Sequence, residues 1–389
     1  MTGDSALDLG TAREAFEGST DFTIGIEEEF SILDPDTLDL VDRFEDFRAA
    51  AEGDPDLEGS LAGELIASEV EIRSGRAESM AEAIELQQRR RAALFGIAGR
   101  LGVRLGSTGT HPWADYLDQE IIDTPHYQRL KRDLGWVARR NNTWSLHVHV
   151  GIKGADRAIQ VCDRLREELP LLLAASANSP FLDGEDTGLA SVRTEIFTRT
   201  FPRCGVPSVF GDWSRYSEFV ETLRELGSVV EATQLWWSVR PHHAFGTVEI
   251  RICDAQTDAG ASTALGGLMV ATLAQTALDL DAGRFGGTEP LLDREIEENL
   301  WRAIRYGMDG QMIDFRNRRE IPARQALEDL LERTSEARAT LGIEVDLPDG
   351  DGAGHARELL DGGLDLRETF RVLVDETEQS YGRGEPGSG

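Results

Sequence analysis

Lysine is almost absent from this chain of 389 residues, since only Lys131 and Lys153 are lysines among its 40 basic residues. The 71 acidic residues leave a formal net charge of −31 at pH 7. This balance argues against nucleic acid as a partner, because binding to a phosphate backbone requires Lys and Arg side chains. A GC-rich genome is the simplest explanation of the arginine bias; a saline cytoplasm is an alternative cause of the acid excess, and composition does not separate the two.

Cysteine is also scarce. Cys162, Cys204 and Cys253 are far apart and form no CxxC pair, which predicts a reducing cytoplasm and no disulfide framework. The N-terminus has neither the basic nor the apolar region of a signal peptide. The apolar run at 169–177 is too short to span a bilayer. We therefore expect a soluble cytoplasmic protein with no membrane partner.

Several common site motifs are missing from the sequence. There is no GxxxxGK[ST], so a nucleotide is not held by a P-loop, and no GxGxxG follows a predicted strand. There is no HExxH and no GxSxG, so zincin peptidases and serine hydrolases of the nucleophile-elbow type are not indicated. A nucleotide or metal site in this chain has to be built differently.

Four segments, 23–32, 68–73, 145–152 and 247–253, alternate between apolar and ionisable residues. Because side chains of a strand alternate between its two faces, each segment predicts a strand with one apolar and one polar face. The polar faces carry Glu27 and Glu29, then Glu69, Glu71 and Arg73, then His147 and His149, and finally Glu249, Arg251 and Cys253. Carboxylates clustered this closely repel one another unless cations neutralise them. The pattern predicts one shared sheet whose polar face is an active site with bound divalent metal.

The rest of the chain is mainly helical in pattern. Helices are predicted at 80–100, where Ser79 and Glu82 form a capping box, and at 125–134, 155–177 with a bend or restart near Pro170, 191–200, 214–226, 260–279, 292–306, 322–340 and 366–379; short strands are predicted at 103–107 and 235–240. This mixed order favours an α+β fold, with a curved, mainly antiparallel sheet, helices on one face and an open catalytic face. We expect a loose leader at 1–20, a single catalytic domain at 21–380 with a mobile loop at 344–356, and a disordered tail at 381–389.

The run Glu27–Glu28–Glu29 is the strongest local signal, because three consecutive acids oppose β-propensity. An exposed acidic edge strand in an acidic protein is the alternative explanation. Glu28 falls on the apolar side, which indicates either a supporting role behind the site or an interface role. His147 and His149 lie about 7 Å apart along one strand face, a spacing that allows one imidazole to bind metal and the other to contact a phosphate.

Glu249 and Arg251 suit a metal ligand and a guanidinium fork for a transferring phosphoryl group. A simple charge pair is the alternative. Arg193, Arg199 and Arg240 are further candidates for binding phosphate or carboxylate, and each has an exposed surface arginine as its alternative. His242 and His243 carry less signal, and Cys253 is either near the site or an inert buried thiol. Carboxylates with one imidazole suit Mg²⁺ or Mn²⁺ better than Zn²⁺.

At these residues the chain resembles the type 2 glutamate–cysteine ligase family of carboxylate–amine ligases. The resemblance rests on FTIGIEEEF at 22–30, SEVEIRSG at 68–75, GSTGTHP at 106–112, NNTWSLHVHVG at 141–151, SANSPFLDGEDTGLASVRTEIF at 176–197, FPRCGVP at 201–207 and SVRPHHAFGTVEIRICDAQTD at 238–258. It implies a glutamine-synthetase-like fold, with an antiparallel sheet as the catalytic floor, and the use of ATP and several Mg²⁺ ions.

Carried onto this chain, the resemblance implies that Arg251 faces the γ-phosphate of ATP. It implies a set of metal ligands, namely Glu27, Glu29, Glu71, His147 and Glu249, with Glu69 as a further candidate. The expected reaction joins the γ-carboxylate of glutamate to the amine of cysteine through an acyl phosphate, a step of glutathione biosynthesis. Two alternatives stay open: the same chemistry with another amine and only weak use of cysteine, and a non-catalytic metal- or nucleotide-binding protein on a ligase scaffold. The sequence does not set the number of metals or the oligomeric state, and a homo-oligomer is one of the open alternatives.

Overall fold

The computed structural model describes residues 7–382. Its strands are β1 (Ile24–Leu33), β2 (Leu61–Ala62), β3 (Glu69–Arg73), β4 (Arg104–Gly106), β5 (Ser145–Gly151), β6 (Phe181–Leu182), β7 (Glu185–Asp186), β8 (Val239–His242), β9 (Thr247–Asp254), β10 (Gln311–Asp314) and β11 (Arg319–Pro322). Its α-helices are α1 (Leu9–Glu17), α2 (Phe44–Ala51), α3 (Met80–Leu101), α4 (Pro125–Leu134), α5 (Ala155–Leu165), α6 (Leu169–Ser176), α7 (Val192–Thr200), α8 (Trp213–Glu225), α9 (Ala259–Asp281), α10 (Asp293–Tyr306), α11 (Ala323–Arg333), α12 (Ser335–Leu341), α13 (Gly352–Asp361) and α14 (Leu366–Tyr381). Short 3₁₀ helices lie at Gly135–Arg140, Ala232–Gln234 and Gly307–Asp309.

One antiparallel sheet holds all four alternating segments of the sequence. Its strand order is β2-β3-β1-β5-β9-β8, and β4 pairs with the end of β1 on the edge that β1 shares with β5. Every pairing between these strands is antiparallel. The predicted α+β class with a mainly antiparallel sheet is confirmed, and so is the prediction that the four strands belong to one sheet.

The apolar face of the sheet is covered by helices. Ile26, Val148 and Ile250 share one buried core with residues of α5, α6 and α9. Helix α9 is apolar around its whole circumference and is long enough to cross a bilayer, but 83% of its most apolar stretch is buried inside the protein. It is therefore the central core helix, since a helix without a polar face must be covered on all sides.

A second core lies at the other end of the sheet. Phe30 and Val70 pack there with residues of α2 and α3, and Tyr381 of α14 closes it. Glu28 also points to this side, where its buried carboxylate accepts hydrogen bonds from Arg91 at 2.7 and 2.8 Å and from Gln87 at 3.0 Å. Glu28 thus ties β1 to α3, which is the interface role expected for it.

Local sequence signals explain most helix ends. The hydroxyl of Ser79 caps α3 by accepting the backbone N–H of Glu82 at 3.2 Å, and Gly102 ends the helix with φ of 68°. The carboxylate of Glu82 accepts from the N–H of Glu78 instead of from the cap residue. The predicted helix at 155–177 is split into α5 and α6, and Pro170 lies in the first turn of α6 where its missing N–H is harmless.

Four expectations about the chain's organisation need correction. Helix α1, nine residues long, lies within the expected loose leader 1–20, where Asp8 caps it and Phe16 is fully buried in the main core. Helix α13 begins inside the expected loop 344–356, where Asp351 caps it. The strand predicted at 235–240 begins later and runs further, as β8 at Val239–His242, and Tyr381 is the buried last residue of α14, not the start of a tail. Residues 383–389 of that tail lie outside the described part of the chain.

Candidate active site

The strand register brings the ionisable residues into rows on the polar face of the sheet. Partners in the register lie side by side on the same face, so pairing alone decides which charges meet. Three rows result: Arg73, Glu27 and His147 across β3, β1 and β5; Glu71 and Glu29 across β3 and β1; and His149, Glu249 and Arg240 across β5, β9 and β8. The predicted convergence of Glu27, Glu29, His147 and Glu249 on one face is confirmed.

Two groups of three side chains have the donor set and spacing of a cation site. One is Glu27, His147 and Glu249, and the other is Glu29, Glu71 and His147; within each group one oxygen or nitrogen per residue lies within 4.8 Å of the others. Glutamate oxygens with a single imidazole suit Mg²⁺ or Mn²⁺. The donor chemistry therefore fits the predicted metal, and both groups draw on the same imidazole.

His147 is held in a neutral, metal-competent form. Burial lowers the pKa of His147 to about 3. The nearby carboxylate of Glu27 acts to raise this pKa, but its effect is smaller. Its Nε2 lies 2.7 Å from the hydroxyl of Ser145, which itself donates to Glu29 at 2.7 Å. Its Nδ1 lies 3.3 Å from Glu27. A neutral imidazole keeps one lone pair for a cation.

The carboxylates on the β3 side resist ionisation. Burial and the charge of Glu64 raise the pKa of Glu29 to about 7. Burial together with neighbouring acids raises the pKa of Glu69 and Glu71 well above the ordinary value. One oxygen of Glu69 has no hydrogen-bond partner among the described residues. Acids of this kind accept a divalent cation readily, because the cation removes the repulsion that holds their protons on.

The carboxylates on the β9 side are ionised instead. Burial acts to raise the pKa of Glu249, but Arg240 and Arg251 hold it well below the ordinary value. Arg240 donates from Nε and Nη2 to the two Glu249 oxygens at 2.6 and 3.3 Å, and Arg251 donates to the same carboxylate. Burial also acts to raise the pKa of Glu27, but the interactions with His149 and His147 lower it by more. The pKa of Glu27 is therefore also well below the ordinary value.

His149 lies between Glu27 and Glu249 with one nitrogen free. Its Nδ1 lies 3.0 Å from the hydroxyl of Thr247, while its Nε2 is 3.4 Å from Glu27 and 3.7 Å from Glu249 without a hydrogen bond among the described residues. Gly25 is the neighbour of His149 on β1, and a Cβ there would approach the His149 Cβ to 3.3 Å. The glycine leaves room for the imidazole.

A β-bulge in β9 changes which residues reach the polar face. Leu146 pairs with Cys253 and Val148 pairs with Ile250, so two residues of β9 stand opposite His147. Cys253 therefore turns into the apolar core, where its thiol points to the carbonyl of Leu172 at 3.7 Å. The expected placement of Cys253 on the polar face is wrong, and its alternative as a buried thiol is correct.

Arg193 holds this bulge from the start of α7. It donates to the carbonyls of Ile252 at 3.0 Å and Arg251 at 3.3 Å, and it lies 3.5 Å from Asp254. These contacts engage the backbone of the two bulged residues, which fixes the direction of the Arg251 side chain. Arg193 is 5% exposed, so the surface alternative fails for it.

The structure does not bring every predicted arginine to the cluster. Arg240 is buried against Glu249, whereas Arg199 is 60% exposed on α7 and pairs with Glu195 at 3.4 Å. The surface alternative thus describes Arg199, and its assignment to the nucleotide has no supporting contact among residues 7–382. His243 also takes no part in the cluster. Its Nε2 instead lies 2.7 Å from the hydroxyl of Tyr216, a residue of the main core.

Glu64 is the acidic neighbour that the sequence did not reveal. It follows β2 in a loop, yet its charge acts on Glu29, Glu69 and Glu71, and burial raises its own pKa. A single glutamate after a two-residue strand has no alternating pattern to mark it. Glu64 brings a further carboxylate to the acidic side of the cluster.

The cluster opens to solvent along one side. The side chain of Glu27 is 15% exposed, that of Arg251 17% and that of Arg73 43%. The floor, including Glu29, Glu71 and Glu249, is almost fully buried. The arrangement offers a small charged ligand an approach to buried acids past two arginines.

Sequence comparison identifies relatives over most of the chain. Residues 23–375 match the family model described as glutamate-cysteine ligase family 2. A protein of Rubrobacter xylanophilus provisionally named glutamate–cysteine ligase 2-2 is 44% identical over 321 residues, which are 82% of each chain. A second protein of that organism, provisionally named glutamate–cysteine ligase 2-3, is 40% identical over 93% of this chain and 99% of its own length.

Two solved structures share the fold at low sequence identity. The glutamate–cysteine ligase of Francisella tularensis in complex with AMP gives a TM-score of 0.66 at 12% identity, over 96% of this chain and 91% of its own. A bifunctional glutathione synthetase of Pasteurella multocida gives 0.64 at 11% identity, and this chain spans 54% of that protein's length. The matched residues 23–375 contain every strand of the large sheet with its polar face, so the chain belongs to glutamate–cysteine ligase family 2.

Proposed function

We propose that this protein is an ATP-dependent ligase that joins the γ-carboxylate of glutamate to the amine of cysteine. The observation that carries the proposal is the pair of three-residue groups around His147, in which buried carboxylates and a neutral imidazole converge beside Arg251. A site with this many acids and a guanidinium suits the activation of a carboxylate by a polyphosphate. The AMP complex of the Francisella ligase, which has the same fold, supports the use of a nucleotide.

Divalent metal fits the residues that are present. Glu27, His147 and Glu249 would hold one ion and Glu29 with Glu71 another, and Glu69, with its free oxygen, lies beside the second group. Bound Mg²⁺ would supply charge neutralisation to phosphate and carboxylate oxygens that otherwise repel each other. The number of ions stays open in the proposal.

The chain's own contribution is positioning and charge. An oxygen of the substrate γ-carboxylate attacks the terminal phosphorus of ATP, the bond to ADP breaks, and the acyl phosphate forms. The amine then attacks the acyl carbon and gives up a proton to a carboxylate of the cluster, the C–O bond breaks, and inorganic phosphate leaves with that oxygen. Arg251 would stabilise the charge of the moving phosphoryl group with its planar fork, and Glu249 and Arg193 would keep that fork in place.

The roles of the remaining residues follow from position. His149, with its free Nε2 near the exposed side of Glu27, is assigned to the phosphate chain of the nucleotide. Arg240 is assigned to the same region through Glu249. We assign the activity to a single domain, which now includes α1. We place the protein in the cytoplasm because all three cysteines are free thiols.

The test is a mixture assay of amino-acid pairs with ATP and Mg²⁺ that follows ADP release and product mass. Glutamate with cysteine is expected to give γ-glutamylcysteine, and ADP release with glutamate should rise strongly when cysteine is added. A small pocket distinguishes a thiol from hydrogen by only about 10- to 200-fold, so alanine should be used more weakly within that range.

Two outcomes would contradict the proposal. Equal turnover with all small amines would favour the ligase that uses another amine. No ADP release with any pair would favour a binding protein on a ligase scaffold. Arg251→Lys should lose turnover in the same assay, while Arg284→Lys, the same change in an exposed ion pair with Asp279 and Glu336, should not.

A further inference from the structure

An aromatic pair lies at the tip of the hairpin between β8 and β9. The rings of His242 and Phe245 stack with centroids 4.4 Å apart and an angle of 10° between their planes. Phe245 is nevertheless 62% exposed. Since His242 covers one face of its ring, the exposure belongs to the other face and the edges.

This pair is continuous with the candidate active site. The ring of His149 lies 5.1 Å from that of His242 and 6.0 Å from that of Phe245, in both cases edge-on. The free Nε2 of His149 is 3.4 Å from Glu27. The exposed ring is therefore two side-chain contacts away from a predicted metal ligand, at the solvent side of the cluster.

The hairpin tip is fixed in place, not loose. The hydroxyl of Ser19 donates to the carbonyl of Gly246 at 2.7 Å, and a Cβ at Gly246 would meet the carbonyl oxygen of Ala15 at 2.5 Å. The last turn of α1 and the residues that follow it thus pack directly against the turn. A ring held on such a turn loses little conformational freedom when a planar ligand stacks on it.

We propose that Phe245 is the stacking surface for the base of the nucleotide, and that His242 supports it from behind. Aromatic rings bind nucleobases through their π-faces, and this stacking tolerates different bases because each has a planar face. The inference rests on the proposed function, since it extends the same site from the phosphate chain to the base.

Isolated exposed aromatics are common on protein surfaces and mean little by themselves. Phe245 differs in two ways. Its rear face is already stacked on an imidazole whose Nδ1 is buried without a hydrogen-bond partner among the described residues. It also lies edge-on to the ring of His149, with centroids 6.0 Å apart, and a phosphate chain is expected at the free nitrogen of that ring. A base on Phe245 and phosphates at His149 would belong to one ligand.

The experiment compares two probes by titration calorimetry, Mg²⁺-ADP, which carries a base, and Mg²⁺-tripolyphosphate, which does not. Phe245→Ala should weaken binding of ADP by about 5- to 150-fold, the range that base stacking gives on alanine substitution, and should leave tripolyphosphate binding unchanged. Phe245→Trp keeps a π-face and should restore ADP affinity. Phe245→Leu keeps apolar bulk without a π-face and should not.

Phe219→Ala is the matched control, because Phe219 is a 40% exposed phenylalanine of α8 that packs on Phe210 and Trp237. It should bind both probes as the unchanged protein does. Unchanged ADP affinity in Phe245→Ala, or equal weakening of both probes, would overturn the inference while leaving the ligase reaction intact. If the unchanged protein neither binds ADP nor consumes ATP with any amine, the proposed function itself fails.

Discussion

Replacing Glu29 with glutamine should stabilise the metal-free protein at pH 8, although Glu29 is a buried residue of the central sheet. Burial and the charge of Glu64 raise the pKa of Glu29 from 4.5 to about 7. The folded chain therefore holds a proton that the unfolded chain releases between these two pH values. The resulting loss of stability is absent below about pH 4.5, grows as the pH rises, and is complete above about pH 7.

The size of the effect follows from the shift. One pKa unit corresponds to about 1.4 kcal/mol, so ionised Glu29 lowers the free energy of unfolding by roughly 3 kcal/mol. Glutamine removes this cost but weakens the hydrogen bond from the Ser145 hydroxyl, now 2.7 Å long, which offsets about 1 kcal/mol. We expect Glu29→Gln to be about 2 kcal/mol more stable than the unchanged protein at pH 8.

The measurement is urea unfolding in EDTA at pH 5 and pH 8. The gain from Glu29→Gln should be small or negative at pH 5 and largest at pH 8. Buried histidines also make the free energy of unfolding depend on pH. His147, whose pKa burial lowers to about 3, is one of them. Their effect is common to both proteins and cancels in the difference. Added Mg²⁺ should then stabilise the unchanged protein more than the variant, because the variant has lost a ligand.

Glu28→Gln is the control, since it is the same substitution one residue away. The Glu28 carboxylate pairs with buried Arg91 at 2.7 Å, so its loss leaves a buried charge and should cost roughly 3 kcal/mol. A similar loss of stability in Glu29→Gln at pH 8 would refute the reasoning, because Glu29 would then be a structural acceptor and not a metal ligand held against repulsion.

Three further predictions concern the other side of the cluster. Glu249→Gln should lower the free energy of unfolding by roughly 3 kcal/mol in urea, because it leaves the buried charges of Arg240 and Arg251 without their carboxylate; a gain in stability would contradict this. Arg251→Lys keeps one charge without the bidentate fork, so kcat should fall far more than glutamate affinity in steady-state assays, and equal turnover would remove Arg251 from the mechanism. Gly25→Ala places a Cβ 3.3 Å from that of His149 and should raise the KM for ATP with little change in thermal stability; an unchanged KM would count against a nucleotide role for His149.

The sequence predicted the sheet and much of the site because period-two alternation survives in β1, β3 and β5. In these strands each residue's face follows from its position in the sequence, which is enough to place Glu27, Glu71 and His147 on one side. The register then converts shared faces into contacts. This part of the prediction depended on nothing but strand geometry.

The errors have physical causes of their own. The bulge that turns Cys253 inward leaves no composition signal, because it depends on Arg193 binding backbone carbonyls from another element. Glu64 lies in a loop without periodicity, and its effect comes from tertiary proximity. Arg199 shares α7 with Arg193 but points to solvent. Side chains placed by long-range packing cannot be assigned from local pattern.

The bulge also makes β9 sensitive to length as well as to composition. Before it, odd-numbered residues such as Glu249 and Arg251 face the acids; after it, an even-numbered one, Asp254, shares the face of Ser145 and accepts from Ser179 at 2.6 Å. The alternation of faces along β9 therefore shifts by one residue at the bulge. Deleting Ile252 would restore regular alternation with Asp254 still opposite Ser145, but it would remove the backbone carbonyl that Arg193 binds at 3.0 Å. Length at this point is as specific a requirement as any side chain of the site.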